Sequence, residues 1–283
     1  MAVDLHTHST YSDGTDPPAT VVALAVQQGL SALALTDHDI LDGIPEARHA
    51  AAVAGIDFIP GVELSVDWGS GGMHLLGYWI GPEPGPLTKR LEEIREGRAA
   101  RNLEILAALG DLGIDITREE IRAVSGSGVV GRPHFAAVLV ERGYAANGND
   151  AFDRYLARGR PAYRPRLRLG AEDAIHLVHR SGGAAVVAHP HTLAEVADGV
   201  EAAFARFVDL GIDGVECYYS GYPPALCHRL ADAAHRAGLV ATGGSDFHGT
   251  NRPGVAVGTG RGDLDVPDAA AVDLRRAVAA RRS

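Results

Sequence analysis

The chain has 283 residues, 46% of them hydrophobic and 22% charged, with a formal net charge of −10. This excludes a disordered chain, which combines low hydrophobicity with high net charge, and a general nucleic-acid coater, whose mark is a basic face. The longest apolar runs, such as Val21–Val26 and Ala184–Ala188, are far shorter than the roughly 20 residues that span a bilayer.

The start of the chain has no basic stretch and no apolar signal core, and Cys217 and Cys227 cannot build a disulfide framework. A cytoplasmic protein without membrane association is expected, and no motif predicts a protein partner. The charge is unevenly spread. Residues 87–169 carry 15 Lys and Arg against 11 Asp and Glu, which leaves −14 on the rest.

The first part of the chain alternates short strand-like runs with helical ones. Ala2–His6 reads as a strand and Pro17–Gly29 as a helix with Asp16 as N-cap. Leu33–Thr36 is a strand, and Ile44–Ala54 a helix stopped by Gly55. Phe58–Val66 and Met73–Ile80 are strands separated by a loop over Gly69–Gly72. The alternation stops over residues 87–160. There Leu87–Leu109 is a long charged amphipathic stretch, Thr117 with Glu120 forms a capping box, and Pro133–Arg142 and Ala151–Ala157 are further helices.

From residue 171 the rhythm resumes. Ala171–Ser181, Thr192–Leu210, Pro223–Gly238 and Pro267–Arg281 read as helices; Ala184–Ala188, Gly214–Cys217 and Leu239–Thr242 read as strands. Repeated strand–helix units imply parallel strands covered by helices. The expected organisation is an α/β barrel in two parts, 1–86 and 170–283, with a mainly helical insertion over 87–169.

The chemistry sits at the predicted strand ends. The first strand leads into Asp4-Leu5-His6-Thr7-His8 and then Ser12-Asp13-Gly14. In extended chain His6 and His8 point the same way, half of a metal site. Later come Thr36-Asp37-His38-Asp39, Gly61-Val62-Glu63, His74, His189-Pro190-His191 and Ser245-Asp246-Phe247-His248. In a (β/α) barrel the C-terminal strand ends converge on one mouth. Imidazoles mixed with carboxylates suit Zn, Mn or Fe. Six histidines and three carboxylates exceed the needs of one ion, so two or three divalent ions are expected. Such ions can hold a bridging hydroxide and clamp a phosphoryl group. His49, His176, His179, His228 and His235 fall within predicted helices and carry no such signal.

Taken in order, these motifs resemble the PHP (polymerase and histidinol phosphatase) family of phosphoesterases over about 200 residues. The resemblance implies a distorted (β/α)7 barrel with a trinuclear centre. Carried onto this chain, His6, His8, Glu63 and Asp246 would hold one ion. Glu63 would bridge to a second, held also by His74 and His189. Asp13, His38 and His248 would hold the third. Asp4 and Asp37 are expected to orient ligand histidines, and His191 is a candidate general acid.

Gly131-Arg132-Pro133-His134 and Gly159-Arg160-Pro161-Ala162-Tyr163 resemble the insert of a PHP subgroup. That subgroup contains nucleoside 3′,5′-bisphosphate phosphatases and 5′-to-3′ exoribonucleases, and a related branch hydrolyses cyclic ribose phosphates. Six arginines lie from Arg154 to Arg168, and guanidinium forks bind phosphate. Arg132, His134, Arg160, Tyr163 and Arg164 are therefore the expected substrate-binding residues, for a nucleoside bisphosphate or the 5′ end of a short RNA.

A cyclic ribose-phosphate phosphodiesterase, a histidinol phosphatase-like phosphomonoesterase, an amidohydrolase and a non-catalytic nucleotide-binding module are the alternatives. The Asp13, His38 and His248 set disfavours an amidohydrolase, and the complete ligand set disfavours the module. Gly126–Gly131 matches GxGxxG but follows a predicted helix instead of a strand, so it lacks the context for dinucleotide binding.

Overall fold

The computed structural model describes residues 2–69, 71–125, 130–165 and 167–282. They form two compact units, 1–89 with 169–283 and, separately, 90–168.

The first unit is a barrel-like sheet. It opens with β1 (Val3–Asp4), α1 (Pro18–Gln27), β2 (Ala32–Leu35), α2 (Ile44–Ala54), β3 (Asp57–Trp68) and β4 (Gly71–Tyr78). α1 buries Val21, Val22 and Ala25 along one stripe. Its N-cap is Pro17, not Asp16, and no side chain caps it. Proline in the first turn is tolerated because the missing N–H is one the helix leaves unpaired there. α2 ends at Gly55, whose φ of 73° is the left-handed stop anticipated for it.

All four β2 side chains are buried, as a parallel strand covered on both faces requires. β1–β2 and β2–β3 are parallel, but β3–β4 is an antiparallel hairpin, with Gly61 opposite Tyr78 and Trp68 opposite Gly71. The strand–helix rhythm that gives parallel pairs is absent between β3 and β4. Two residues separate β3 from β4, and a parallel crossover needs a dozen or more. Gly71 and Gly72, expected in a loop, are part of β4.

The long α3 (Pro86–Asp111) leads into the second unit, which continues with α4 (Arg118–Ser125), α5 (Arg132–Glu141) and α6 (Gly148–Ala151). α6 passes into a π-helical turn over Phe152–Leu156. No strand occurs among the described residues from 90 to 168. The Thr117 box forms as expected: Thr117 N donates to Glu120 Oε2 at 2.7 Å and Glu120 N to Thr117 Oγ1 at 3.2 Å. Ile105, Leu109, Ile121, Phe135, Leu139 and Leu156 build this unit's own core. Residues 126–129 of the glycine-rich string, and Arg166, lie outside the described residues.

The barrel resumes with β5 (Leu169–Gly170), α7 (Ala171–Arg180), β6 (Ala184–Val187), α8 (Ala194–Asp198), α9 (Val200–Asp209), β7 (Gly214–Tyr219), α10 (Pro224–Ala237), β8 (Val240–Gly244) and α11 (Ala269–Arg282). The single helix expected over 192–210 is divided. Gly199 adopts an extended conformation, with ψ 108°, between α8 and α9, and an Asp-Gly step has little helix propensity to resist the break.

The sheet order is β1-β2-β3-β4-β6-β7-β8, with β5 alongside β3. Leu5 N donates to Gly243 O at 3.2 Å and Asp246 N to His6 O at 2.8 Å, which brings the last strand to the first. Inside, Leu5, Ala34, Leu76 and Val186 belong to a core that α11 closes with Leu274 and Val278. No helix of the described residues is long and apolar enough to cross a membrane.

Candidate metal centre

His6 and His8 follow β1 in extended chain, tied on one side by Thr36 N to Thr7 O (2.9 Å) and on the other by His8 N to Phe247 O (2.9 Å). Both imidazoles are completely buried. His38 follows β2, His189 follows β6, and Asp246 and His248 follow β8. Glu63 and His74 sit inside β3 and β4, not at strand ends, because the hairpin extends past the barrel mouth. β4 runs against its neighbours, so its early residue His74 meets the ends of the parallel strands.

Glu63 stands among five imidazoles. Its Oε1 lies 2.8 Å from His74 Nδ1 and 3.1 Å from His189 Nε2. Its Oε2 lies 3.3, 3.2 and 3.1 Å from His6 Nε2, His8 Nε2 and His38 Nδ1. Asp246 Oδ1 faces His6 Nε2 at 3.4 Å and His8 Nε2 at 3.3 Å. Asp13 Oδ1 is 3.2 Å from His248 Nε2, and its Oδ2 is 3.7 Å from His38 Nε2.

Three groups have ligand atoms within 4.8 Å of one another: His8–Asp13–His38–His248, His6–His8–Glu63 and His38–Glu63–His74. These groups take in seven of the nine expected ligands; His189 joins them through Glu63, and Asp246 through His6 and His8. His8 and His38 each belong to two of these groups, which the sequence-based partition did not anticipate.

The cluster fits cations. Asp13 Oδ1, His38 Nδ1, Glu63 Oε2, His74 Nδ1 and His189 Nδ1 are buried with no hydrogen-bond partner. Buried polar atoms are rarely left so, and those of Asp13, His38, Glu63 and His74 belong to the candidate ligand groups, whereas His189 turns its other nitrogen, Nε2, to Glu63. The protonation pattern reflects the same crowding. Burial disfavours the imidazolium of His6, but Glu216, Asp246 and Glu63 outweigh it and raise its pKa. Burial acts likewise on His8, but hydrogen bonds to Asp246 and Glu63 push it up to about 10. At His38 burial prevails and lowers the pKa to about 4.

Backbone strain accumulates at the same place. Asp39, His189 and Asp246 have φ of 54°, 27° and 54°, conformations that cost non-glycine residues about 1–3 kcal/mol each. The strain at His189 is held by Glu216, whose Oε2 accepts the His189 N–H at 2.6 Å. Asp246 is fixed by Tyr219 Oη and Arg252 Nη1, which donate to its Oδ2 at 2.7 and 2.6 Å.

The expected supporting carboxylates act differently from expectation. Asp4 touches no imidazole: its Oδ1 accepts the N–H groups of His6 and Ser245, and its Oδ2 that of Gly258. Asp37 accepts from Ser9 N, Ser9 Oγ and Ser12 Oγ at 2.8, 2.7 and 2.6 Å. Both acids order the chain around the histidines, not the rings.

The residue that holds a ring is Glu216, whose Oε1 accepts from His6 Nδ1 at 2.9 Å. Sequence reasoning missed Glu216, Tyr219, Tyr222 and Arg252. Glu216 was detectable as a lone carboxylate within the apolar strand Gly214–Cys217.

His191 is exposed; its Nδ1 lies 2.6 Å from the hydroxyl of Tyr222, which also accepts the His191 N–H at 3.3 Å. In the helical unit, Arg132 Nη1 donates to Leu156 O at 3.1 Å, and its guanidinium lies over the Tyr163 ring at 5.4 Å. His134 Nδ1 accepts the Gly131 N–H at 2.9 Å, capping α5. Arg164 Nη1 donates to the carbonyls of Pro161 and Tyr163. Arg160 is exposed. Arg132, His134 and Arg164 therefore have internal structural partners.

Fold and cluster together define a barrel protein with candidate metal-ligand groups at its strand ends. The PHP domain family matches residues 4–125. The chain is 37% identical over 257 residues to a 3′,5′-nucleoside bisphosphate phosphatase of Chromobacterium violaceum, covering 90% of each. It is 38% identical over 247 residues to the 5′-3′ exoribonuclease Rnm of Salmonella typhimurium, covering 87% of this chain and 84% of that protein. A solved amidohydrolase from Chromobacterium violaceum, with sulfate bound and no metal, superposes with a TM-score of 0.80 at 35% identity. The match spans 98% of this chain and 97% of that one. The chain belongs to the PHP family.

Proposed function

We propose that the chain is a metal-dependent phosphoesterase acting on a small nucleotide, with a nucleoside 3′,5′-bisphosphate or the 5′ end of a short RNA as substrate. The observation that carries this reading is Glu63, buried among five imidazoles with an oxygen that has no hydrogen-bond partner. The phosphatase and exoribonuclease names of two relatives support the substrate class.

His6, His8, Glu63 and Asp246 would hold one divalent ion, Glu63 with His74 and His189 a second, and Asp13, His38 and His248 a third. Their donor set suits Mn, Zn or Fe. When bound, such ions neutralise phosphoryl oxygens and acidify water.

The chain's own groups do the rest. Glu216 holds His6 and the strained His189 backbone, and Tyr219 with Arg252 fixes the Asp246 carboxylate. Tyr222 Oη accepts the His191 N–H and lies 2.6 Å from Nδ1, so it can also accept an Nδ1 proton and leaves Nε2 free. As an imidazolium, His191 can give its Nε2 proton to the leaving oxygen and remain a neutral ring, while water adds to phosphorus, the water's own proton passes to solvent and the ester P–O bond breaks. Arg132 and Arg160 carry the guanidinium chemistry to grip a second phosphate; His134, Tyr163 and Arg164 complete the substrate-binding set we assign.

The test is phosphate release by Mn-loaded protein from adenosine 3′,5′-bisphosphate, with AMP, a 2′,3′-cyclic nucleotide and a 5′-phosphorylated short RNA alongside. Release from the bisphosphate or the RNA that stops on chelation and returns with Mn supports the reading. No release from any substrate, with metal content verified, overturns it and favours the amidohydrolase named among the solved relatives. Equal rates on AMP and the bisphosphate would remove the second-phosphate role of Arg132 and Arg160.

A further inference from the structure

The Asp13, His38 and His248 set draws two of its members from separate loops. Asp13 lies on the turn that follows His8, and His248 follows β8. The turn doubles back on its own start: Ser12 N and Gly14 N both donate to Ser9 O, at 3.1 and 3.0 Å, and a Cβ on Gly14 would lie 2.7 Å from His8 O. His248 Nδ1 lies 2.8 Å from the Asp246 carbonyl oxygen, which leaves Nε2 to face Asp13 Oδ1 at 3.2 Å.

Three hydrogen bonds join the two loops. Thr15 N donates to His248 O at 3.3 Å, Thr250 N to Thr15 Oγ1 at 2.9 Å, and Asn251 Nδ2 to Asp13 O at 2.8 Å. The Thr15 hydroxyl gives its own proton to Asp16 Oδ2 at 3.2 Å, which leaves a lone pair for Thr250 N. Thr250 and Asn251 belong to a short 3-10 turn over Gly249–Asn251, directly after His248. Gly249 has φ 62°, and a side chain there would run into the Thr15 hydroxyl and the Asp16 carboxylate. The Asn251 bond grips the backbone of a candidate ligand residue itself.

Asp13 is also the least enclosed carboxylate of the centre. Its Oδ1 is turned inward, but its side chain as a whole is 41% exposed, against 12% for Asp246 and 1% for Glu63. Attraction between charges weakens as their surroundings approach water. An ion on Asp13, His38 and His248 is therefore held less tightly than ions beside Glu63, and its retention depends most on ligands that are already in place.

We propose that Thr15 and Asn251 are positioning residues for the ion on Asp13, His38 and His248, the exchangeable one of the three. By locking the Asp13 turn to the His248 loop they set the affinity of that ion alone. This rests on the three-ion reading above.

The experiment is a Mn titration of the full chain stripped of metal, with free Mn read by electron paramagnetic resonance. Wild type should take up two ions tightly and one more weakly. Thr15→Val removes the hydroxyl and keeps the shape. It and Asn251→Ala should each weaken the last ion at least tenfold, a loss typical of groups that orient metal ligands. The two tight ions and the melting temperature of the metal-free chain should not change, since Thr15 and Asn251 are exposed. Thr15→Ser restores the hydroxyl and should restore wild-type uptake. Equal weakening of all three ions, no weakening in either variant, or a loss in Thr15→Ser as great as in Thr15→Val overturns the positioning role while leaving the ion assignment intact. A wild-type chain that never takes up a third ion overturns that assignment and this proposal together, and phosphate release from the bisphosphate would then still stand as the separate test of the phosphoesterase reading.

Discussion

The carboxylate of Glu216 accepts a hydrogen bond from His6 Nδ1 at 2.9 Å, with both side chains completely buried. That bond sets the ring so that Nε2 faces Glu63 and Asp246. Partners of this kind orient metal-binding imidazoles, and their loss typically lowers metal affinity 10- to 100-fold. Glu216→Gln keeps the shape and removes the charge. We expect Mn affinity, measured by competition with a chromogenic chelator, to fall by about tenfold or more while the circular dichroism spectrum is unchanged. Unaltered affinity would show that His6 needs no such support.

Asp246 depends on two donors that touch the same oxygen. Tyr219 and Arg252 both reach Oδ2, and the Arg252 guanidinium also lies 5.0 Å from the Tyr219 ring centre. Groups in one network do not contribute additively. Tyr219→Phe and Arg252→Ala should each reduce phosphate release. The double variant should be slowed by less than the product of the two effects. Strict multiplicativity in kcat/KM would separate the residues functionally.

Gly244 is a packing requirement of the closed sheet. A Cβ at this position would lie 2.9 Å from His6 Cα and closer still to His6 N. Backbone cannot yield as a flexible side chain can, so overpacking here should reach the upper part of the usual range, about 3 kcal/mol. Urea unfolding of Gly244→Ala, read as a change in midpoint at constant slope, measures it. A loss below about 0.5 kcal/mol would mean that the strand end relaxes freely.

Glu120 gives a pH-dependent contribution in the helical unit. Its carboxylate accepts from Thr117 N and from Arg142, and the Thr117 bond, followed by the Arg142 charge, lowers its pKa below 4.5. A lowered carboxylate contributes stability above its unfolded value and loses it as pH falls through the folded value. An NMR titration of the Glu120 side-chain carbon should therefore have its midpoint below 4.5. Thr117→Pro, which removes the N–H donor, should raise that midpoint more than Arg142→Ala. The reverse order would make the charge the dominant cause.

Most of the histidines and acids of the mouth were legible because they belong to short motifs that follow short strands, whereas Glu63 and His74 lie inside the longer β3 and β4. His6, His38, His189 and His248 needed only strand periodicity and the geometry of a barrel. The direction of β4 was also implicit, since the link between Trp68 and Met73 is too short for a crossover, but its glycines resemble a loop. Glu216 stayed hidden because Val215 and Cys217 make it look like one polar residue in a buried strand. Its partner His6 is 210 positions away. The arginines of the insert posed the opposite problem. Composition shows that Arg132 and Arg164 have phosphate chemistry, but only coordinates show them donating to Leu156, Pro161 and Tyr163 carbonyls.

The ring-like path of the sheet has a consequence during synthesis. Ligand candidates run from His6 to His248, and those at the two extremes meet where β1 adjoins β8. A ribosome-bound chain that has displayed His6, His8, His38, Glu63 and His74 still lacks Asp246, which faces both N-terminal imidazoles. Until Asp246 and His248 have emerged, the histidines already displayed form at most part of the candidate ligand set. Assembly of the candidate site therefore requires β8 to come alongside β1, a contact between residues more than 200 positions apart in sequence.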